Sequence, residues 1–547
     1  MKKYIFLIFL STLVISCSLD NNQDPNEVSA EAAIPSLRLS TASNSAYSAL
    51  ARDMNGLGNY WMNAWSGNEA YYGGPATVEN NLEMTTSFYQ DIWLDSYKAI
   101  ARLQQIIDHE AAEESPNYVA IAKVQKAFYM QYLVDLYGDV PYSDAFKETE
   151  SSAPKYDKDI EVYKGLVQEL KEAISLIDQN DGNEQYSVDG SSDPIFGGNM
   201  GKWKDFANTV LLKYAVRLSN TSDSEGQSLR NEIISALSGA SFITADVTIN
   251  PGYNNDSDSG QNPLYNEWGW ETFSKSRSRG RISVASEHLI RSLEGESSKI
   301  THGIKDSRIG FLFKKAIQYT GGSGTGPEGY YGYVQGHTND GFQREYGFDP
   351  FDPGLVKPSE NNLSFKGGLL GEEGDVGAPM DGVLMMLAES EFLQAEAAVL
   401  GFSGFSNGQG HFESGIMASF DFDGAYLDVD KDDDDDEIDV GAEAGDYITA
   451  ISSRAKVGWT GSNEDKIAAI QYQRWVALTN YNGMECYINY LRTGYPETPL
   501  ATTTTRTNKP WRLLYPAHEY SSNSSNVPDI SLDEVFSKGE ATPFIYK

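Results

Sequence analysis

Apolar residues recur at spacings of three and four along much of this chain, the periodicity of an α-helix with one buried face. The stripes are Trp93, Tyr97, Ile100, Leu103 and Ile107; Ile121, Val124, Phe128 and Tyr132; Ile160, Tyr163, Val167, Leu170, Ile174 and Ile177; Trp203, Phe206, Val210 and Tyr214; and Met385, Ala388, Phe392, Ala395 and Val399. A last helix is predicted from about Glu464 to Asn480. Breaks at Ser115-Pro116 and Gly138 favour stacked helical hairpins of the tetratricopeptide kind.

The helical pattern stops in the middle of the chain. Between roughly Thr221 and Asp381 it gives way to Gly, Ser, Asn and aromatic residues. A long irregular insertion in a helical body is usually functional or disordered, and the aromatic content argues against disorder. We therefore expect a mainly α fold, helical over 31–220 and 380–547, that carries a loop-rich lobe over about 221–380.

The first residues are typical of an exported lipoprotein. Met1-Lys2-Lys3 is basic, and the apolar run from Tyr4 to Ile15 is too short to span a bilayer, which takes ~20 residues. The sequence Val14-Ile15-Ser16-Cys17 resembles a bacterial lipobox, in which the cysteine carries the lipid (palmitate among the acyl chains) and becomes the first mature residue. We predict a signal peptide over 1–16, lipidation of Cys17, a polar tether over 17–30 and a body over 31–547. The alternative is a simple secretory signal with an incidental cysteine.

Composition limits what the body can do. The 547 residues are 40% hydrophobic and 12% aromatic, which is enough for a large core in one unit or in several domains. Lysine and arginine number 42 against 78 acidic residues, so the net charge is −36; without Lys2 and Lys3 it is 40 against 78, or −38. A chain this acidic repels phosphate backbones, and we expect no nucleic-acid partner. The only other cysteine is Cys486, so lipidation of Cys17 leaves no pair for a disulfide.

The segment Gly58 to Pro75 is the first candidate ligand site. Its aromatic residues are Tyr60, Trp61, Trp65, Tyr71 and Tyr72, interspersed with Asn59, Asn63 and Asn68. Flat aromatic faces suit the apolar face of a sugar ring, while amide groups suit its hydroxyls, and the glycines at both ends suggest an exposed loop. The alternative is that Trp61 and Trp65, four residues apart, form one buried helix face.

The second candidate lies in the predicted lobe. Trp268 and Trp270 alternate about Gly269, which would place both rings on one side of an extended segment. Four cations follow: Lys275, Arg277, Arg279 and Arg281. They either meet an anionic or hydroxyl-rich ligand or neutralise local carboxylates, and we favour the second interpretation. If these tryptophans are core residues, the site is expected elsewhere in the lobe, at Tyr330, Tyr331 and Tyr333.

An acidic run near the C-terminal third suggests calcium. Asp428, Asp430, Asp432, Asp434, Asp436 and Asp439 fall at positions 1, 3, 5, 7, 9 and 12 of an EF-hand-like loop. Position 6 is Asp433 where the sharp turn needs glycine, and position 12 is Asp439 where a glutamate reaches further. A divalent cation would relieve the repulsion between these carboxylates, and the alternative is a solvated insertion. No cofactor is otherwise required.

Signals of catalysis are weak. The six histidines are scattered, and the sequence contains no H-E-x-x-H, G-x-S-x-G or P-loop motif. We therefore do not expect an enzyme. The alternatives are a lipid-anchored exported glycoside hydrolase, which the abundant carboxylates permit, and an adhesin or scaffold.

Several segments in order resemble the SusD/RagB family of nutrient-binding outer-membrane lipoproteins. They are Leu133–Tyr142, Asp193–Asn208, Asp306–Arg308, Glu389–Leu400, Lys466–Pro496 and Arg512–Asn523. The chain departs from the family pattern at Ser307, where proline is usual, at Cys486-Tyr487, where many members have tryptophan, and at Leu491-Arg492, which replaces a double arginine.

The resemblance implies a fold and a function. The fold would be a right-handed array of tetratricopeptide-like helix pairs with an irregular lobe. The protein would sit on a SusC-type TonB-dependent transporter at the outer membrane and pass it oligosaccharides, or peptides as some family members do. It would bind these ligands without catalysing a reaction.

Overall fold

The structure is a computed structural model that describes residues 34–68, 76–147, 153–272, 280, 283–296, 298–320, 324–336, 363–371, 374–424 and 439–547. α-Helices dominate it. The N-terminal half contains α1 (Pro35–Ala49), α2 (Asn55–Trp61), α3 (Thr77–Asn81), α4 (Asp91–Ile107), α5 (Pro116–Tyr137), α6 (Asp159–Gln179), α7 (Met200–Arg217), α8 (Ser224–Ala236) and α9 (Pro263–Trp268). The remaining helices are α10 (Glu287–Leu293), α11 (Ile309–Leu312), α12 (Gly368–Gly371), α13 (Gly374–Gly377), α14 (Leu387–Val399), α15 (Gly408–Gly424), α16 (Val440–Ile451), α17 (Asn463–Leu478), α18 (Gly483–Thr493), α19 (Ala517–Ser522) and α20 (Leu532–Phe536).

The strands are short and pair two by two. They are β1 (Trp65–Gly67), β2 (Val247–Ile249), β3 (Ser283–Ala285), β4 (Ala316–Thr320), β5 (Gly324–Gly329) and β6 (Gly382–Met385). All three pairs, β1–β3, β2–β6 and β4–β5, are antiparallel. In the first pair Trp65 lies opposite Ala285 and Gly67 lies opposite Ser283. This pair joins the N-terminal helices to the irregular lobe.

The long helices lie where the apolar periodicity predicts them, and the mainly α fold is confirmed. Consecutive helices pack against each other, as α4 does on α5, α5 on α6 and α14 on α15. Two details differ from the prediction. Met385 ends strand β6 and is outside α14, and the helix predicted as the last, α17, is followed by α18. Helix α8 also continues the helical pattern past Thr221.

A network of buried ion pairs joins helices α5, α7, α14 and α18. The ammonium of Lys213 on α7 lies 2.7 Å from Glu485 on α18 and 3.2 Å from Glu389 on α14. Arg217, one turn further along α7, contacts the same Glu485 at 2.7 Å and Asp135 of α5 at 3.1 Å. These charges are almost completely buried, so each must be paired to be tolerated in the core.

The pKa values reflect this network. The neighbouring Arg217 and Lys213 hold the pKa of Glu485 well below its usual range despite its burial. Burial raises the pKa of Asp135 to about 6, although Arg217 opposes the shift. A second pair, Arg492 with Glu396 at 2.6 Å, links α18 to α14. The motif residues that resemble the family pattern thus hold helices together, in the interior of the protein.

Helices α2 and α18 cross at backbone contact. A Cβ at Gly58 would lie 2.0 Å from the nitrogen of Met484, and one at Gly483 would lie 2.3 Å from the nitrogen of Asn59. Only glycine fits at either position, because the two backbones occupy the space of a side chain. The segment that follows α2, from Met62 to Asn68, is buried next to this crossing.

Candidate functional site

The first aromatic cluster predicted as an exposed ligand loop is buried in the part that the structure describes. Tyr60 and Trp61 end helix α2 and Trp65 begins strand β1, and all three are at most 3% exposed. The ring of Trp61 packs 4.8 Å from that of Tyr487, and the ring of Trp65 lies 5.0 Å from that of Trp268. The prediction of an exposed loop is wrong for these residues, and the alternative of a buried face is the correct one.

The asparagines of this segment form hydrogen bonds within the protein. Asn59 accepts a hydrogen bond from the backbone nitrogen of Asn480 at 3.1 Å. Asn63 donates to the carbonyl of Pro499 at 3.1 Å and accepts from the Ser286 hydroxyl at 2.6 Å. Because buried backbone groups need partners, amides that seemed suited to sugar hydroxyls are used to satisfy the chain itself.

Trp268 and Trp270 have different environments. Residues Pro263–Trp268 form helix α9, so the two rings do not alternate on one side of an extended segment as predicted. Trp268 is 2% exposed and donates its indole hydrogen to the carbonyl of Arg52 at 3.2 Å, so its predicted ligand contact is wrong. Trp270 is only partly buried and packs against the outside of the hydrophobic core.

The turn before Trp270 depends on close backbone approach. A Cβ at Gly269 would lie 2.8 Å from the carbonyl oxygen of Tyr265, and one at Gly280 would lie 2.5 Å from the carbonyl oxygen of Gly269. The buried Lys366 stabilises the chain at Gly280 and Ser283. Its ammonium donates to the carbonyl of Gly280 at 3.1 Å and to the hydroxyl of Ser283 at 2.6 Å. Burial lowers the pKa of Lys366 to about 7.

The backbone around Trp270 is hydrogen-bonded to the loop that precedes α9. The side chain of Gln261 donates to the Trp270 carbonyl at 3.2 Å. Two residues later, Thr272 donates its backbone nitrogen and its hydroxyl to one carboxylate oxygen of Asp258, at 3.0 and 2.8 Å. The Trp270 side chain is therefore presented from a fixed backbone, which reduces the conformational entropy that a ligand would have to restrict.

Amide and carboxylate groups flank this position. The Asn255 side chain accepts from Gln261 at 3.2 Å and donates to Asp375 of α13 at 3.0 Å. Asn255 is partly exposed and Asp375 is exposed. An aromatic face beside such donors and acceptors can receive a neutral polyhydroxylated ring through stacking and hydrogen bonds. Residues Asn255, Asp258, Gln261, Trp270 and Asp375 are called the Trp270 rim below.

The other lobe aromatics are divided in the same way. Tyr265 and Tyr333 are buried, whereas Tyr330 and Tyr331 are partly exposed. Burial raises the pKa of Tyr330, and the neighbouring Glu294 and Glu328 raise it further. The sequence signal for Trp270, Tyr330 and Tyr331 was their aromatic type in an irregular segment. Nothing local indicated the amide group of Asn255 as part of the rim.

Some predicted site residues lie outside the described part of the chain. These are Cys17, Tyr71, Tyr72, the four cations Lys275, Arg277, Arg279 and Arg281, and the acidic residues Asp428, Asp430, Asp432, Asp434 and Asp436. Asp439 is described and exposed, and its carboxylate accepts from the backbone nitrogen of Ala442 at 2.9 Å as the N-cap of α16. Within the described residues no group of three or more histidine, cysteine or acidic side chains is arranged to hold a metal ion. The calcium site stays a prediction.

Among the described helices, none combines the length and the apolar composition needed to cross a membrane.

Comparison with known proteins identifies relatives. The SusD-like family model, described as starch-binding and associating with the outer membrane, matches residues 25–516. No curated protein matches the chain.

Solved structures share the fold. A chitin-binding protein is 21% identical with a TM-score of 0.66, over 90% of this chain and 95% of its own. A chitin-binding SusD homologue from Flavobacterium johnsoniae is 19% identical with a TM-score of 0.66, over 89% of this chain and 94% of its own. A SusD homologue from Bacteroides fragilis is 21% identical with a TM-score of 0.63, over 90% and 94%. At these identities the likeness shows the fold and does not extend to ligands.

Proposed function

Because the chain belongs to the SusD-like family of proteins that associate with the outer membrane, we propose that it captures oligosaccharides at the cell surface through the Trp270 rim. One observation carries this proposal. Trp270 is partly exposed, and its backbone carbonyl accepts from Gln261. The same Gln261 side chain donates to Asn255, which in turn donates to the carboxylate of Asp375. The other predicted tryptophan contacts, Trp61, Trp65 and Trp268, are in the core.

The ligand class follows from the chemistry of the rim. An indole face binds the apolar C–H face of a sugar ring, while amide and carboxylate groups take its hydroxyls. Starch-like and chitin-like glycans are the first candidates, since the family description and two neighbours of the same fold name them. A peptide ligand is the alternative within the family. A protein that delivers oligomers must also release them, so we expect dissociation constants on the order of micromolar to millimolar.

The captured oligomer would pass to a SusC-type TonB-dependent transporter, with the protein attached to the outer membrane through lipid on Cys17. The family description as associating with the outer membrane supports the membrane location. The transporter partner rests on the family resemblance of the sequence motifs. The lipobox-like sequence before Cys17 supports the anchor. Neither role requires catalysis by this chain, which we propose to be a binding protein only.

Retention on immobilised glycans tests the proposal. The mature protein is passed over starch, chitin and unrelated polysaccharides, and bound protein and released reducing ends are measured together. We expect retention on at least one glycan and no reducing ends. Release of reducing ends would favour the lipid-anchored glycoside hydrolase. Failure to bind any glycan, with binding to peptides, would move the chain to the peptide-binding alternative.

A further inference from the structure

A cleft of about 430 Å³ lies on the helical body, and no residue of the Trp270 rim lines it. Helix α8 forms one wall, and the chain that follows helix α14 forms the other. The lining residues are Ser219, Arg230, Asn231, Ile234, Ser235, Leu400, Gly401, Phe402 and Ser403. Neither the resemblance nor the proposed function uses this cleft.

The floor of the cleft is apolar and its rim is polar. Ile234 and Leu400 are partly buried and Phe402 is buried, whereas Asn231 and Ser403 are exposed. Such a division matches a compact ligand with one apolar face and several polar groups, a size of one or two sugar rings.

The charge of the cleft is opposite to that of the whole protein. Arg230 is the only charged residue of the lining, on a chain with a net charge of −36. Its Nη1 donates to the carbonyl of Ser219 at 3.2 Å. No carboxylate in the described part of the chain forms an ion pair with Arg230, so the rest of its donor fork is available to a ligand.

Helix α8 separates its charges between two faces. Glu225 and Glu232 form ion pairs with Lys164 and Lys171 of helix α6. These carboxylates are therefore engaged on the α6 side, while Arg230 lies on the side of the cleft. An anion that enters the cleft meets the guanidinium without an adjacent competing carboxylate from the lining.

The end of helix α14 does not oppose an anion strongly. Its last carbonyls would repel negative charge if they were unpaired. The backbone nitrogen of Phe402 donates to the carbonyl of Ala397 at 3.0 Å, and that of Gly401 donates to Ala398 at 3.2 Å. The side chain of Asn463 donates to Val399 at 3.4 Å. The carbonyls of Ala397, Ala398 and Val399 thus have hydrogen-bond donors and do not face the cleft unpaired.

We propose that this cleft binds a compact carboxylate ligand, with the carboxylate on Arg230 and an apolar face on Ile234, Leu400 and Phe402. An arginine fork matches the two oxygens of a carboxylate, and the hydroxyls of Ser235 and Ser403 take further polar groups. A sugar acid and the C-terminal residue of a peptide share this chemistry. The site is independent of the Trp270 rim.

Titration calorimetry with matched probe pairs tests the proposal. The sugar pairs are galacturonate with galactose and glucuronate with glucose, and the peptide pair is N-acetyl-alanine with its amide. In at least one probe pair we expect the carboxylate to bind about tenfold tighter than its neutral partner. Only the carboxylate can form a charge-assisted hydrogen bond with Arg230. The pair that responds distinguishes the sugar acid from the peptide terminus. Equal or absent binding of both members in every pair overturns the proposal.

Variants assign the binding to the cleft. Arg230→Gln should weaken the carboxylate about tenfold or more, while Arg102→Gln, which removes an exposed arginine of α4, should leave it unchanged. Ser403→Trp places a large side chain at an exposed edge of the cleft and should abolish binding without removing a charge. Trp270→Ala should retain it, which separates this site from the proposed glycan site. Unchanged affinity in both Arg230→Gln and Ser403→Trp overturns the assignment.

Discussion

The indole nitrogen of Trp65 donates a hydrogen bond to the side-chain oxygen of Asn480 over 2.7 Å, across 415 positions of sequence. Both residues are buried. The bond joins the start of strand β1 to the chain between helices α17 and α18, at the same place where Gly58 and Gly483 let helices α2 and α18 touch. Trp65 therefore connects the N-terminal helices to the C-terminal helices α17 and α18.

Loss of the Trp65 ring should destabilise the fold. Truncation of a buried tryptophan costs about 3–5 kcal/mol in unfolding free energy, and Trp65→Ala also leaves the Asn480 oxygen buried without this donor. Trp65→Phe should cost less, because most of the packing remains. Denaturant unfolding of the purified protein measures both changes. A midpoint of Trp65→Ala equal to that of the parent protein would show that this ring is not a core residue.

Breaking the buried ion network should be costly for a different reason. Lys213→Met leaves Glu389 and Glu485 with fewer counter-charges in the core, and such a change typically costs about 3–5 kcal/mol. Lys98→Met removes an exposed lysine 3.3 Å from Asp95 and is the matched control, which we expect to be nearly neutral. Similar melting temperatures for both variants would argue against a structural role for the network.

Lys366 should make stability rise with pH in the alkaline range. Its pKa is lowered by burial from 10.5 to about 7, so the unfolded chain binds the proton more strongly than the folded one. The contribution of this group is present above 10.5 and is lost as the pH falls to about 7, with a slope of up to about 1.4 kcal/mol per pH unit.

Comparison with Lys366→Met isolates this effect from other titrating groups. Unfolding free energies are measured between pH 7 and 10 for both proteins, and their difference is plotted against pH. We expect the parent protein to gain stability relative to the variant as the pH rises. A difference that is independent of pH would mean that the lysine titrates normally in the folded state.

The lipid anchor can be tested in cells. Cys17→Ala removes the residue that the lipobox-like sequence would lipidate, so the protein should leave the membrane fraction. Cells that lack the proposed transporter partner provide the control, because binding to such a partner would retain the variant without a lipid anchor. Continued sedimentation of Cys17→Ala with membranes in those cells would contradict the anchor.

Local pattern accounts for the parts of the fold that were predicted. The stripes in α4, α5, α6 and α7 are visible because each helix buries one face, and periodicity records that directly. The same logic failed for the aromatic segments. Whether Trp61 or Trp65 is core depends on partners such as Tyr487 and Asn480, which lie more than 400 residues away.

Burial at the candidate site could not be predicted from local pattern either, because it also depends on residues distant in sequence. Trp268 and Trp270 differ by two positions and share one residue type, yet one is core and the other partly exposed. The short helix α9 decides this, because it turns Trp268 towards Trp65 before the chain leaves at Gly269. Neither Asp375 nor Asn255 carries a local signal, since their hydrogen bond spans 120 positions.

Retention of Trp270→Ala on the cognate glycan tests the central claim most directly. Trp459→Ala, which removes another partly buried tryptophan on the helical body, is the matched control. We expect Trp270→Ala to stay folded, with a smaller loss of stability than Trp65→Ala because Trp270 is only partly buried, and to lose about tenfold in glycan affinity, which corresponds to about 1.4 kcal/mol. Trp459→Ala should bind as the parent does. Full glycan affinity in a folded Trp270→Ala protein would contradict the account and place the binding surface elsewhere in the lobe.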